Sequence, residues 1–259
     1  TEAWHMVNIT FLFNQLPLRL GEVARSLLTT RAGVPFIAAA TGVLVERLID
    51  TLLMVLLLAT ALSTLPNAPT EIATTARIFG VLAVVGFIML LIFARRPHSA
   101  HKLLDIAERI LPLLRRLPLR RLLEQVLQGL ETLGDWRRLG HVMVWSLISW
   151  GFSTLTFYAM HRALNIDDIN IALSIAFGMS LASFSIALPV SMAGIGPFQA
   201  AIRVTGEMVG MQALSAATLG VLLHGITILG YAIWGVISLL VLGVSLGDML
   251  ANREQTQNE

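Results

Sequence analysis

Apolar residues follow one another in long segments, and the polar breaks between these segments define the organisation of the chain. A helix needs about 20 apolar residues to cross the hydrocarbon core of a bilayer. Segments of roughly that length or longer predict membrane-spanning helices at 35–65, 76–94, 139–163 and 213–244. Two shorter apolar segments, 4–16 and 171–188, each end in a polar break that leads into a second short helix. The pattern predicts an all-α, polytopic membrane bundle.

Composition agrees with a membrane protein. The 259 residues are 56% hydrophobic and 13% charged, whereas soluble domains carry about 25% charged residues. The chain contains no cysteine, which excludes disulfides, thiolate metal sites and a cysteine nucleophile. We expect no metal and no cofactor. We also expect one transmembrane domain over 1–246, a polar tail over 247–259, and further residues before Thr1.

The basic residues concentrate between two of the predicted spans, in the segment 95–138. It holds ten of the 18 Lys and Arg residues but only five acids. The positive-inside rule therefore places it in the cytoplasm. Its leucines and isoleucines predict an amphipathic helix on an anionic membrane surface, interrupted at Pro112 and Pro118. A solvated basic face and a lipid head-group site are the alternatives. Nucleic-acid binding is not expected.

The first polar break, within residues 13–25, combines helix breakers with charges. Pro17 and Gly21 interrupt a helix. Charged side chains in hydrocarbon cost roughly 2.5–3.5 kcal/mol each, so they are usually paired or functional. Two interpretations stay open: a cytoplasmic loop, or a re-entrant hairpin whose break is covered by protein or water. The charged residues of the break are Arg19, Glu22 and Arg25.

The second break, 189–197, has the same plan: a short apolar arm, a proline, glycines and a short helix. With 95–138 inside, alternation of the spans places the first hairpin on the cytoplasmic face and the second on the outer face. Paired broken segments in inverted halves indicate a transporter site near the bilayer midplane. The sequence thus predicts two inverted re-entrant hairpins. The candidate residues of the second are Gly194, Gly196 and Gln199.

Three further charges, Glu46, Arg47 and Asp50, fall near the middle of the 35–65 helix. Residues three or four apart share a helix face, so the two carboxylates flank one side with the arginine beside them. Either the charges lie within the membrane, or the span begins near Leu48 and leaves them at the interface.

The breaks and this charged stretch resemble a known family. LPLRLGEVARSLL, VLVERLIDTLLMVLL and LPVSMAGIGPFQAAI, in that order, resemble the lysylphosphatidylglycerol synthase transmembrane-region family, which is also described as flippase-like. The resemblance implies a bacterial inner-membrane protein that handles aminoacylated phosphatidylglycerol, polyprenyl-linked or hopanoid-type lipids. The residues carried over are Pro17, Arg19, Gly21, Glu22, Arg25, Glu46, Arg47, Asp50, Pro189, Gly194 and Gly196.

The chain departs from the family pattern at the second break. Met192-Ala193-Gly194 stands where the family usually has Pro-Gly-Gly, and Gln199 stands near a usual glutamate. A neutral glutamine cannot pair with a cationic head group, which argues against a lysyl-lipid substrate. A soluble synthase domain is also missing from these 259 residues, so we do not expect an enzyme.

These observations favour a lipid translocase for a phosphate-bearing lipid. Arginine forks match phosphate geometry, so we expect Arg19, Arg25 and Arg47 to hold the phosphate and the acids to balance them. Helix N-termini near Gly21 and Gly196 add positive dipole ends. A scaffold for a lipid-modifying or glycosyl-transfer enzyme, docked through 98–136, is the alternative. No Ser-His-Asp set is visible, and His224 is interpreted as a hydrogen-bonded packing residue.

Overall fold

The fold is all-α over the residues that the structure, a computed structural model, describes: 2–16, 20–30, 32–64, 70–110, 118–187 and 191–243. A 3₁₀ turn covers Met192–Gly194. The helices are α1 Glu2–Phe13, α2 Leu20–Thr30, α3 Phe36–Ser63, α4 Thr70–Arg95, α5 Pro97–Ile110, α6 Leu119–Gly129, α7 Glu131–Gly134, α8 Trp136–Ala163, α9 Ile171–Ala187, α10 Pro197–Val209 and α11 Ala213–Leu242. The predicted all-α class is confirmed.

The chain divides into two compact units. The first combines both ends of the chain, Thr1–Ala32 and Leu155–Glu259, and the second is Gly33–Thr154. The first unit contains both predicted hairpins, α1 with α2 and α9 with α10. We call these the first and the second hairpin.

In the first unit, α1 lies antiparallel to the C-terminal half of α11. Near one end, His5 Nδ1 and Asn8 Nδ2 lie 3.1 and 3.2 Å from Ser238 Oγ. Further along, the Phe11 ring stacks on Tyr231 with centroids 4.7 Å apart. The first hairpin then folds back on itself at a close approach, because a Cβ atom at Gly21 would overlap the Thr10 carbonyl oxygen and lie 2.6 Å from Asn14 Oδ1. Glycine is the residue that this contact between α1 and α2 requires.

The second hairpin packs on the other half of the same helix. A Cβ atom at Gly206 would lie 2.6 Å from the Cβ of Ala216, and Ile202 lies against Gly220. As residue numbers rise along α10 they fall along α11, so these two helices are also antiparallel. Ile202, Leu219 and Leu223 belong to one buried cluster and are each about 1% exposed. The two hairpins therefore occupy opposite ends of α11 and point toward each other along it.

In the second unit, short helices pack on the long helix α3. A Cβ atom at Gly129 would lie 2.5 Å from the Ala38 carbonyl oxygen, so α6 contacts the α3 backbone closely. Leu130 and Leu133, which follow α6, are fully buried in a cluster with Val45 and Ile49. The amphipathic α5 leaves α4 at a bend of 106°.

By length and apolar composition, α8 and α11 can each cross a membrane, and the bent pair Gly80–Arg95 with Pro97–Ile110 is a third candidate in the described residues. Helix α3 is long enough, at 28 residues, but its three charged residues interrupt the apolar sequence. The chain is therefore a membrane protein, and the insertion depth of the hairpins stays a prediction. The predicted breakers Pro17 and Pro189 and the tail 247–259 lie outside the described residues.

Candidate functional site

The ends of the two hairpins meet in the first unit, and we call this meeting point the junction. The backbone N–H of Ala193, in the 3₁₀ turn of the second hairpin, donates a hydrogen bond to the carbonyl oxygen of Gln15 at 3.0 Å. Gln15 lies two residues after the end of α1, so this bond joins the two breaks that the sequence singles out. Residues almost 180 positions apart in the chain are thereby brought together.

His224 of α11 fixes the second hairpin at the junction. Its Nε2 lies 2.9 Å from the Ala193 carbonyl oxygen, and its Nδ1 lies 3.0 Å from Gln199 Nε2. An amide nitrogen can only donate, so Nδ1 accepts and Nε2 carries the proton, as in one tautomer of a neutral imidazole. The ring is 4% exposed and stacks on Phe198 at 4.5 Å. His224 is therefore the residue around which this end of the hairpin is built.

Gln199 connects that histidine to the start of α10. Its Oε1 accepts a hydrogen bond from the Gly196 N–H at 2.8 Å, which satisfies one of the backbone donors that a helix N-terminus leaves open. Pro197 begins the helix, a position where its missing N–H does no harm. Gly194 and Gly196 have φ values of 73° and 95°, which favour glycine. The structure thus brings the predicted residues Gly194, Gly196 and Gln199 together. Gln199 is hydrogen-bonded to Gly196 and His224.

Ala193 adopts a conformation that alanine rarely adopts, with φ 53° and ψ 11°. Left-handed geometry costs an L-residue roughly 1–2 kcal/mol. Both polar groups of its backbone are bonded, the N–H to Gln15 and the C=O to His224. The neighbouring helices thus hold the strained residue in place from two sides.

The charged residues of the first hairpin lie on α2. Glu22 and Arg25 are both partly buried there, three residues apart and hence on one side of the helix. The third predicted residue of this group, Arg19, lies outside the described residues. The candidates on α2 begin one residue after the close approach at Gly21.

The remaining predicted residues form a cluster in the second unit. Arg47 makes an ion pair with Glu46 and lies 3.5 Å from Asp50. Asp50 Oδ1 accepts a hydrogen bond of 3.0 Å from Trp150 Nε1. The three charged side chains are 20–36% exposed. The sequence predicted the pairing within α3, whereas the tryptophan partner, 100 residues away, was not predicted.

Sequence reasoning also missed two other polar features. His161 is fully buried in the first unit, with Nε2 2.8 Å from Ser174 Oγ and Nδ1 2.8 Å from the Phe157 carbonyl oxygen. It links α8 to α9. At the junction, side-chain oxygens of Asn14, Gln15 and Ser191 are buried, and no signal in the sequence distinguishes them from other loop residues.

The described side chains offer charges and hydrogen-bonding groups in both units. Among the described residues, no group of His, Asp and Glu side chains is arranged to hold a metal ion. The first unit offers neutral hydrogen-bonding groups at the junction and the Glu22–Arg25 pair on α2. The second offers a partly exposed guanidinium between carboxylates.

Residues 2–235 match the family model described as Lysylphosphatidylglycerol synthase TM region. The match covers most of the chain and contains every candidate residue named above. No curated protein and no solved structure matches the chain.

Proposed function

The chain belongs to the lysylphosphatidylglycerol synthase TM region family, membrane proteins related to lipid handling, and from this premise we propose that it translocates a phosphate-bearing lipid between the leaflets of a bacterial inner membrane. The observation that carries the proposal is the meeting of two hairpins, from opposite ends of α11, at a polar junction.

Geometry supports a site at membrane depth. At 1.5 Å per residue, His224 lies about 17 Å from the first residue of α11 and about 27 Å from its last. The hydrocarbon core is about 30 Å thick, so an α11 that spans it carries the junction within the core. Interrupted backbone is tolerated there only under cover of protein or next to a cavity. Two inverted hairpins that cover each other's breaks meet this condition, and such pairs form the substrate sites of many transporters.

Arginines supply the phosphate contacts in this proposal. Arg25 lies on the hairpin that reaches the junction, and Arg19 is proposed from the sequence alone. In the second unit, Arg47 is held between Glu46 and Asp50, which presets its position. Guanidinium groups bind phosphate oxygens in pairs of parallel hydrogen bonds. The carboxylates, Glu22 included, keep the arginines compensated when no lipid is bound.

The orientation follows from the basic segment 95–138, which we place in the cytoplasm of a multi-pass protein. The chain has no cysteine, so a single cysteine at Ser99 reports on one position alone. We expect an impermeant maleimide to label it only when added from the cytoplasmic side.

Lipid scrambling by the purified protein in liposomes tests the function. An acyl-labelled fluorescent phospholipid that reaches the outer leaflet becomes accessible to dithionite. We expect Arg25→Ala to abolish the protein-dependent rate and Arg25→Lys to restore it partly, because lysine lacks the planar fork. Arg203→Ala is the matched control, since Arg203 is 71% exposed and pairs with Glu207 on α10. Scrambling by Arg25→Ala at the wild-type rate contradicts the phosphate role.

The scaffold alternative rests on the exposed face of α5, where Leu103, Ile106 and Ile110 are 52–72% exposed. It predicts that the pure protein moves no lipid and that lipid modification needs a second, co-purified protein. The same liposome experiment separates the two functions.

A further inference from the structure

The two loops that meet at the junction contain buried oxygen atoms whose hydrogen-bonding capacity is not used. Within the described part of the chain, Asn14 Oδ1, Gln15 Oε1 and Ser191 Oγ are inaccessible to solvent and have no hydrogen-bond partner. Buried polar side-chain atoms in native proteins are bonded in the large majority of cases. Their occurrence on both sides of one contact, the Gln15–Ala193 hydrogen bond, points to a function of the junction.

Two of these atoms are amide oxygens, and the orientation of one of them, Gln15 Oε1, is fixed by a hydrogen bond. The Gln15 side chain is oriented by its amide nitrogen, which donates to the Phe11 carbonyl oxygen at 3.1 Å, so its Oε1 faces away from that partner. Asn14 Oδ1 lies against the α2 backbone at Gly21. Amide oxygens accept hydrogen bonds and never donate them, while a serine hydroxyl can do both. The unused oxygens of the junction can therefore mainly accept hydrogen bonds from donor groups.

The polar groups around these atoms already have partners. The N–H and C=O of Ala193 are bonded, and so are both ring nitrogens of His224 and both side-chain polar atoms of Gln199. A rearrangement among these neighbours would break one bond to make another. None of these described groups can serve the unused oxygens without giving up a bond that it already makes.

We propose that the junction binds the hydrogen-bond donors of a lipid head group, either ammonium N–H or hydroxyl O–H groups. This inference rests on the proposed function in taking the ligand to be a lipid. A phosphate offers acceptor oxygens, which amide oxygens cannot bond. The junction thus selects the part of the head group beyond the phosphate, while Arg25 of the same unit holds the phosphate itself.

Matched lipid pairs separate the effect of hydrogen-bond donors from the effect of net charge. Phosphatidylethanolamine and phosphatidylcholine are both zwitterionic, but only the first has N–H donors. Phosphatidylglycerol and phosphatidylmethanol are both anionic, but only the first has free hydroxyls. Native mass spectrometry measures how much of each lipid the full chain retains. The acyl chains of the compared lipids are identical. We expect a donor lipid to be retained over its partner by roughly 2- to 10-fold per hydrogen bond, and the pair that shows the preference identifies the donor as ammonium or hydroxyl.

Variants connect the preference to the junction. Ser191→Ala removes an unused hydroxyl and Gln15→Met removes an acceptor at nearly constant side-chain length, so both should reduce the preference. Ser191→Ala should leave the melting temperature unchanged or raise it, because it deletes an unsatisfied buried group. Ser185→Ala is the control, since this hydroxyl of the same hairpin already donates to the Ala182 carbonyl oxygen at 2.8 Å. It should keep the preference.

Equal retention within both pairs by the wild type overturns the inference, and so does a preference that survives both Ser191→Ala and Gln15→Met. Ordered water on the same oxygens would leave the junction without a head-group preference and would produce the first result. The outcome is independent of the proposed function: scrambling without head-group preference removes only the inference, and preference without scrambling removes only the translocase.

Discussion

Replacing His224 by phenylalanine tests whether the junction depends on its histidine. Phenylalanine keeps a ring that can stack on Phe198 but loses the hydrogen bonds to the Ala193 carbonyl oxygen and to Gln199. Both partners are then left in a buried environment without a bond. Each such loss costs roughly 1–3 kcal/mol, and relaxation of the strained Ala193 recovers part of it. We expect a net destabilisation of roughly 2–4 kcal/mol.

The assay is thermal unfolding of the purified protein in detergent, followed by circular dichroism. For a chain of this size, each kcal/mol lowers the midpoint by about 2–4 °C, so the expected decrease is about 5–15 °C. His224→Gln is the control, because its amide supplies one acceptor and one donor, as the ring does. It should lie much closer to the wild type. If the phenylalanine variant melts like the wild type, or if both variants fall equally, the hydrogen bonds of His224 do not hold the junction and our account of it is wrong.

Three other predictions follow from single contacts. Gly21→Ala inserts a methyl group between α1 and α2, onto the Thr10 carbonyl oxygen of the α1 backbone; we expect severe loss of folded protein in expression and gel filtration, whereas Gly42→Ala, which meets nothing within 4 Å, should express normally. Ala193→Gly removes the left-handed penalty and should raise the melting midpoint by about 2–4 °C; a decrease would contradict the strain. On α5, a fluorophore at Ile106→Cys should be quenched by spin-labelled lipid in anionic vesicles and one at His101→Cys, on the opposite side of the helix, should not; equal quenching would contradict membrane contact.

The helices could be predicted from the sequence because apolar runs and helix breakers mark most of their bounds. Helix α11 covers Ala213–Leu242 against a predicted 213–244. Helix α4 begins at Thr70, six residues before the predicted span. The prediction was based on the apolar residues, whereas a helix continues into polar residues as long as its backbone hydrogen bonds persist. For that reason, helix α4 is longer than the membrane-spanning segment predicted from the sequence.

The junction could not be predicted, since it depends on which helices pack together. His224 was interpreted as a packing histidine, and the sequence contains nothing that pairs it with Ala193, 31 residues earlier. Similarly, Asp50 and Trp150 are 100 residues apart. The likeness between the two breaks did indicate related elements. The contact between Gln15 and Ala193 depends on tertiary packing, in which small residues such as Gly206 let the second hairpin approach α11.

The first unit is assembled from the two ends of the chain, which imposes an order on its biosynthesis. Asn8 and Ser238, which are hydrogen-bonded, are separated by 230 residues. At about 5–20 residues per second, a ribosome needs roughly 10–50 s to add the second partner after the first. During this interval α1, with its buried Asn8 and Thr10, has no α11 to pack against, while the whole of Gly33–Thr154 is already made. The contacts of the first hairpin with α11 can therefore form only after the last helix emerges.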